Sequence, residues 1–157
     1  MNNSEQELYK QSRTIQDKFT YFLLAVAASA IAFSIQKISD RIITESLMLL
    51  GVALLFWGIS FYFGCLNIKY VSSTIYANYG LIQTKNGKNK EIPNNQQYIA
   101  AAAEGIESAM QSNAQKAGKY SNWQFKMLIW GAIAYITWQV IEMLIRSITL
   151  YNAIPCL

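Results

Sequence analysis

The sequence predicts an all-α integral membrane protein with three transmembrane helices, the N-terminus inside, the C-terminus outside, and a helical cytoplasmic layer. Three observations lead to this fold class. Of the 157 residues, 53% are hydrophobic and only 14% are charged, whereas an average soluble domain carries about 25% charged residues. The apolar residues are concentrated in three blocks, and the basic residues are divided unequally among the segments that connect these blocks. The length predicts a single domain.

Residues 1–18 are predicted to form a cytoplasmic amphipathic N-terminal arm, because apolar residues recur there at helical spacing. Transmembrane helix 1 is assigned to residues 19–36, since the block FTYFLLAVAASAIAFSI has no charge and a spanning helix needs roughly 17–25 mostly apolar residues. A cleaved signal peptide is the alternative, because two small-x-small sites within residues 28–32 fit the cleavage pattern. Removal of residues 1–32 therefore stays open, although acidic residues precede the block. The apolar stripe of the arm contains Leu8, Ile15, Phe19 and Phe22.

The second and third spans follow from the same criterion of length and apolar content. Residues 37–45 form a short external turn, and transmembrane helix 2 covers the uncharged residues 46–68, in which Cys65 is expected to be a small core residue. Transmembrane helix 3 is assigned to residues 127–150, and residues 151–157 form an external tail. Because a backbone in lipid must satisfy its own hydrogen bonds, each span is expected to be helical.

Residues 69–126 form the predicted cytoplasmic helical segment, with a loop at residues 83–97. The first part continues helix 2, with an apolar stripe of Val71, Ile75 and Tyr79, and Gly80 is its expected end. The loop is rich in asparagine and contains a glycine and a proline, which are turn residues.

The second part of the cytoplasmic segment is strongly helix-forming. Its alanine-rich stripe recurs at spacings of three and four, and no proline follows until Pro155. This helix is therefore predicted to continue into the third span, with Gly105 and Gly118 as its weak points. The stripe consists of Ile99, Ala103, Ile106, Met110, Ala114 and Ala117.

The distribution of basic residues predicts the orientation. With the N-terminus inside, ten Lys and Arg residues are cytoplasmic, and Lys37, Arg41 and Arg146 are outside. Positive charge favours the cytoplasmic side, so this orientation is preferred to its reverse. Among the aromatic residues of the third span, Trp130 and Trp138 are central and are predicted to pack against other helices.

Small residues form the clearest predicted packing surface. Ala25, Ala28, Ser29 and Ala32 share one face of the first span, and Gly51 and Gly58 lie one heptad apart on the second. Such residues let membrane helices approach closely. Packing within one chain and packing between copies in a homo-oligomer both remain open, and the two are compatible.

Charged residues inside or near the spans are candidates for function. Glu142 lies within the third apolar block, and Gln139 and Arg146 share its face. Glu142 followed by Arg146 has the favourable order for an ion pair. The alternative is a face that lines a pore or meets a partner. In the cytoplasmic loop, Lys85, Lys88 and Lys90 form a basic cluster that either contacts anionic lipid headgroups or is simply solvated.

The composition excludes several classes of protein. The chain contains no histidine and only two cysteines, so a Ser-His-Asp triad, a histidine metal site and a four-cysteine zinc site are impossible within it. Glu91, Glu104 and Glu107 are expected to lie on a solvated face rather than in a carboxylate metal site. No motif for an enzyme or a cofactor occurs, so neither is expected. Nucleic-acid binding is not expected either, since the basic cluster has no interleaved aromatic residue.

These observations favour a protein that works by assembly. The leading hypothesis is a homo-oligomer of a bacterial inner membrane that forms a pore or perturbs the bilayer, as a phage-defence or holin-like effector would, while its cytoplasmic helices bind a partner or receive a signal. One alternative is an immunity or entry-exclusion protein that blocks a toxin or a translocation protein. Another is a non-catalytic subunit of a larger membrane complex.

Overall fold

A computed structural model of the chain describes residues 3–38, 46–89, 92–93 and 95–153. Within these residues there are three helices and no strands: α1 (Asn3–Ile38), α2 (Ser46–Lys85) and α3 (Gln96–Ala153). All three are long and apolar enough to span a membrane. The prediction of an all-α chain with three helices capable of spanning is thus confirmed. Its orientation stays a prediction, and most of the predicted external turn (39–45) and tail (154–157) lies outside the described residues.

The helices are longer than the apolar blocks. α1 includes residues 3–18 of the predicted N-terminal arm without interruption, and α3 contains 58 residues. A regular helix of that length measures about 87 Å, whereas the hydrocarbon core of a bilayer is about 30 Å thick. More than half of α3 therefore extends beyond any single span. Gly105 and Gly118 do not interrupt it, as each costs a helix only about 1 kcal/mol relative to alanine.

The end of α2 corrects the expectation for Gly80, which lies inside the helix. Gly87 has a positive φ of 64°, its N–H donates to Thr84 O at 3.1 Å, and Lys88 N–H donates to Gln83 O at 2.9 Å. These two bonds and the left-handed glycine form a Schellman motif, which satisfies carbonyls at the end of a helix. Gly80 needs no such conformation, so the helix continues through it.

The start of α3 is capped by Asn95. Its Oδ1 accepts a hydrogen bond from Gln97 N–H at 3.1 Å, and its carbonyl accepts the first helical bond, from Ile99 N–H at 3.0 Å. Asparagine is among the preferred N-cap residues for this reason. The connection is thus residues 86–95 rather than 83–97, and Lys85 is the last residue of α2 instead of a loop residue.

The chain divides into two compact units, of which the first comprises the described parts of Met1–Tyr62 and Trp123–Leu157. Its buried residues recur mainly at intervals of three, four or seven along each helix. This is the spacing of knobs-into-holes packing between helices that cross at a small angle. These residues are Thr20, Leu23, Ala27 and Ser34 on α1, Leu50, Ala53, Trp57 and Ser60 on α2, and Gln124, Gly131 and Trp138 on α3.

The second unit, Phe63–Asn122, packs the end of α2 against the start of α3. Its buried positions hold small or polar side chains such as Asn67, Thr74 and Ala103. The predicted stripe on α2 points the other way, since Ile75 is 60% exposed and Tyr79 64% exposed. The buried positions on α2 include 67, 74 and 81, which are seven residues apart and share one face of the helix. Residues 75 and 79 are not on that face, so the stripe predicted from them was placed on the wrong side of α2.

The stripes predicted for the other helices differ in outcome. On α3, Ala103 and Ala117 are buried as expected, whereas Ala114 is exposed and Asn113 is half-buried instead. On α1, Ile15, Phe19 and Phe22 are exposed, and the side chain of Leu8 lies outside the described residues. These three residues are therefore largely uncovered by the described residues of the first unit, to which the arm belongs.

Candidate functional site

The two faces of α1 have opposite surroundings. Leu23, Ala27 and Ser34 are buried against the other helices of the first unit. Ala25, Ala28, Ser29 and Ala32 are all exposed, and at 100° per residue their mean direction is roughly opposite to that of the buried face. The small-residue face does not pack against the described residues of the first unit, because the core of that unit lies on the other side of α1. Packing of this face against a second copy stays a prediction.

The glycines singled out on α2 are also uncrowded. A Cβ added to Gly51 or Gly58 would have no neighbour within 4 Å, so neither glycine is required for a close approach among the residues that the structure describes. The close approach occurs at Gly131 on α3, where a Cβ would lie 2.5 Å from Cδ1 and from Nε1 of the Trp57 indole. Sequence reasoning missed Gly131, although it lies seven residues from Gln124 and seven from Trp138.

Aromatic side chains fill the centre of the first unit. The ring of Tyr135 lies 5.6 Å from that of Trp57 and 5.7 Å from that of Trp138. Trp57 Nε1 donates a hydrogen bond to Leu128 O at 3.3 Å. Trp138 is 2% exposed, as its predicted packing requires, whereas Trp130 is 56% exposed and that expectation is wrong. Such packed rings bury large areas and dominate the energetics of a core.

A buried polar layer joins the three helices of the first unit. Ser60 Oγ on α2 donates to the carbonyl oxygen of Gln124 on α3 at 2.8 Å, and Gln124 Nε2 donates to the carbonyl oxygen of Thr20 on α1 at 3.5 Å. The rings of Phe19 and Phe125 lie beside it, 6.1 Å apart. Sequence reasoning missed Gln124 because it precedes the apolar block, in a segment that reads as polar.

Glu142 and Arg146 on α3 form the predicted ion pair, with 3.4 Å between Oε1 and the guanidinium nitrogen. The Glu142 side chain is 19% exposed and that of Arg146 60% exposed. Gln139, one turn before Glu142, is half-buried. The carboxylate is therefore shielded while its cationic partner faces outward, so the polar face of α3 presents mainly the guanidinium to its surroundings.

At least one lysine of the predicted basic cluster is paired with a carboxylate. Lys85 Nζ lies 2.7 Å from Glu107 Oε1 in an exposed ion pair that links α2 to α3 within the second unit. Lys88 is exposed, and Lys90 lies outside the described residues. In the same unit Lys116 Nζ lies 5.6 Å from the centre of the Tyr70 ring, and that ring stacks on Tyr120 at 5.4 Å.

The remaining candidates for chemistry are dispersed. Among the described residues, no group of three His, Cys, Asp or Glu side chains is placed to hold a metal ion. Glu107 is paired with Lys85, Glu104 is exposed, and Glu91 lies outside the described residues. Cys65 is exposed, which corrects its predicted place in the core. No protein-family model, curated protein or solved structure matches this chain.

Proposed function

We propose that this protein acts in a bacterial inner membrane by assembling copies of itself through the small-residue face of α1, and that the assembly forms a pore or otherwise perturbs the bilayer. The observation that carries the proposal is the exposure of Ala25, Ala28, Ser29 and Ala32. These residues lie within a helical stretch, Thr14–Gln36, that is long and apolar enough to span a membrane.

A second helix fits this face better than lipid does. Apolar burial gives little driving force between helices in a bilayer, so association depends on close van der Waals packing, which small side chains permit. The face is flanked on its two sides by large exposed side chains, Phe22 and Ile35, so it forms a shallow groove into which a neighbouring helix can fit. The Ser29 hydroxyl can also hydrogen-bond across such a contact.

A pore would form between copies rather than inside one. The centre of the first unit is filled by side chains, since Leu50 is fully buried and Trp57 and Trp138 are at most 5% exposed. On α3 the outward-facing Arg146, paired with Glu142, supplies charged groups that a ring of copies would place together. Rings of charged side chains are one known way to build the mouth of a channel.

The second unit favours a role in binding a partner. Its α2 segment exposes an uncharged face of Ile75, Tyr76, Tyr79 and Ile82, and contiguous apolar surface of this kind commonly marks an interaction site. In an effector this face would receive the signal. The same face supports the alternative function, in which the protein binds and blocks a toxin or translocation protein and has no effect of its own.

Induced expression in bacteria, with a potential-sensitive dye as readout, separates the two functions. The proposed effector depolarises the membrane when expressed alone, and an immunity protein leaves the potential unchanged. Ala28→Leu fills the small-residue face and is expected to abolish depolarisation at an equal level of membrane-inserted protein. Phe33→Leu, at an exposed position about a quarter of a turn away, is the control and retains depolarisation. Wild-type protein that leaves the potential unchanged contradicts the proposal.

A further inference from the structure

Gln124 lies at the centre of the polar layer of the first unit and has one unmet hydrogen-bonding group. Its side chain is fully buried (0% exposed), and its Oε1 accepts no hydrogen bond from any residue that the structure describes. Its Nε2 donates to Thr20 O. A buried carbonyl oxygen without a donor is costly, so this oxygen calls for a ligand that supplies one.

The hydroxyl groups of the layer cannot supply that donor. Ser60 Oγ gives its hydrogen to Gln124 O, and Thr20 Oγ1 gives its hydrogen to Gln16 O at 3.0 Å. A hydroxyl has only one hydrogen to donate. Rotating the Gln124 amide by 180° does not help, because its oxygen would then face the carbonyl oxygen of Thr20. No residue that the structure describes therefore supplies the donor.

We propose that Gln124, Thr20 and Ser60 hold a buried water molecule that donates a hydrogen bond to Gln124 Oε1. A buried water is stable where it has two to four polar partners. The layer offers Gln124 Oε1, and the lone pairs of the Ser60 and Thr20 hydroxyl oxygens are further acceptors. A second copy of the chain cannot take this place, because the Gln124 side chain has no exposed surface.

Trp138 provides an internal contrast. Its Nε1 is also buried and donates to no described residue, but it lies in the aromatic core, with the Tyr135 ring 5.7 Å from its own. A buried water needs two to four polar partners, and the aromatic rings packed here do not supply them. The proposal therefore expects water beside Gln124 and none beside Trp138, although both are unmet polar groups of one helix.

Water-edited solid-state NMR on the full chain in lipid bilayers tests the proposal. Magnetisation from water is expected to reach the Gln124 side-chain amide well before the Trp138 indole N–H, with the two signals identified by their loss in Gln124→Leu and Trp138→Phe. A Gln124 signal that builds up as slowly as that of Trp138 would overturn the proposal.

Thermal unfolding in detergent gives a second, independent test, because the sign of the shift differs between a satisfied and an unsatisfied Gln124. If water satisfies Oε1, Gln124→Leu removes net hydrogen bonding and lowers the Tm by roughly 3 °C. If Oε1 is unsatisfied, leucine is neutral or stabilising, so an unchanged or raised Tm contradicts the proposal. Gln115→Leu, at an exposed position of the same helix, is the matched control and is expected to shift the Tm by about 1 °C at most.

Discussion

The Trp57 side chain on α2 packs directly against Gly131 on α3, which has no side chain of its own. A Cβ on Gly131 would lie 2.5 Å from two atoms of the indole, a separation that real side chains do not tolerate. The indole is held in place by its hydrogen bond to Leu128 O and by the ring of Tyr135. Gly131 is therefore a point of close approach between α2 and α3 in the first unit, and the first prediction concerns it.

Gly131→Ala is expected to destabilise the protein. Overpacking a core costs about 1–3 kcal/mol, and the gain in helix propensity from glycine to alanine returns only about 1 kcal/mol. Because Trp57 is nearly fully buried and hydrogen-bonded, it cannot yield easily. The measurement is the Tm in detergent, with an expected fall of roughly 4 °C.

Gly118→Ala is the control for that experiment. It lies on the same helix, and a Cβ there would meet nothing within 4 Å, so only the propensity gain remains and the Tm should rise slightly. If the two variants raise the Tm by the same amount, the close approach of Trp57 to Gly131 is wrong.

Glu142→Ala is expected to abolish depolarisation while leaving stability nearly unchanged. An ion pair between residues four apart on a helix contributes about 0.3–0.5 kcal/mol, which is too little to unfold the protein. The loss of activity would instead reflect the loss of one of the two charged groups that α3 brings to the mouth of the assembly. Arg146→Ala removes the other, outward-facing group and is expected to abolish depolarisation as well. Depolarisation at the wild-type level with Glu142→Ala would show that Glu142 serves only to pair with Arg146.

Lys85 and Glu107 are expected to couple weakly, and only at low salt. Their atoms are 2.7 Å apart and both side chains are 55% exposed, and exposed pairs contribute about 0.2–1 kcal/mol. A double-mutant cycle with Lys85→Ala and Glu107→Ala, followed by chemical unfolding, measures the coupling energy. It should fall towards zero at 1 M salt, where the Debye length is about 3 Å. Coupling that persists at that salt concentration would contradict an exposed, screened pair.

The orientation gives a prediction for Lys88, which is exposed just after α2. With Cys65 and Cys156 replaced by serine, Lys88→Cys should react with a membrane-impermeant maleimide only after the inner membrane is permeabilised. The physical reason is the excess of basic residues in the segments assigned to the cytoplasm. Labelling in intact spheroplasts would reverse the proposed orientation.

The features of the fold that were predicted correctly are those that depend on average hydropathy. The blocks at residues 19–35, 46–68 and 127–141 all lie within helices long enough to span a membrane, and α3 runs without a break from the segment predicted to be cytoplasmic into the third block. These features require only that apolar residues be contiguous and that helix breakers be absent. They do not depend on which residue touches which.

Features that depend on pairwise contacts were not predicted. Gly51 and Gly58 resemble packing glycines as strongly as Gly131 does, and only the position of the Trp57 indole separates them. In the sequence, Gln124 lies in a polar segment and resembles a surface residue. Its burial can be predicted only from the seven-residue spacing that relates it to Gly131 and Trp138. Likewise, the end of α2 is set by the left-handed conformation of Gly87, and an Asn-Gly pair there was the available signal.

Disulfide cross-linking through the small-residue face of α1 tests the central claim most directly. In a background without Cys65 and Cys156, Ala28→Cys is oxidised in native membranes and the products are separated without reductant. Assembly through this face predicts a cross-linked dimer for Ala28→Cys and little or none for Phe33→Cys, which is exposed on a different side of the same helix. A protein that stays monomeric with Ala28→Cys, or that cross-links equally through both positions, would contradict assembly through this face.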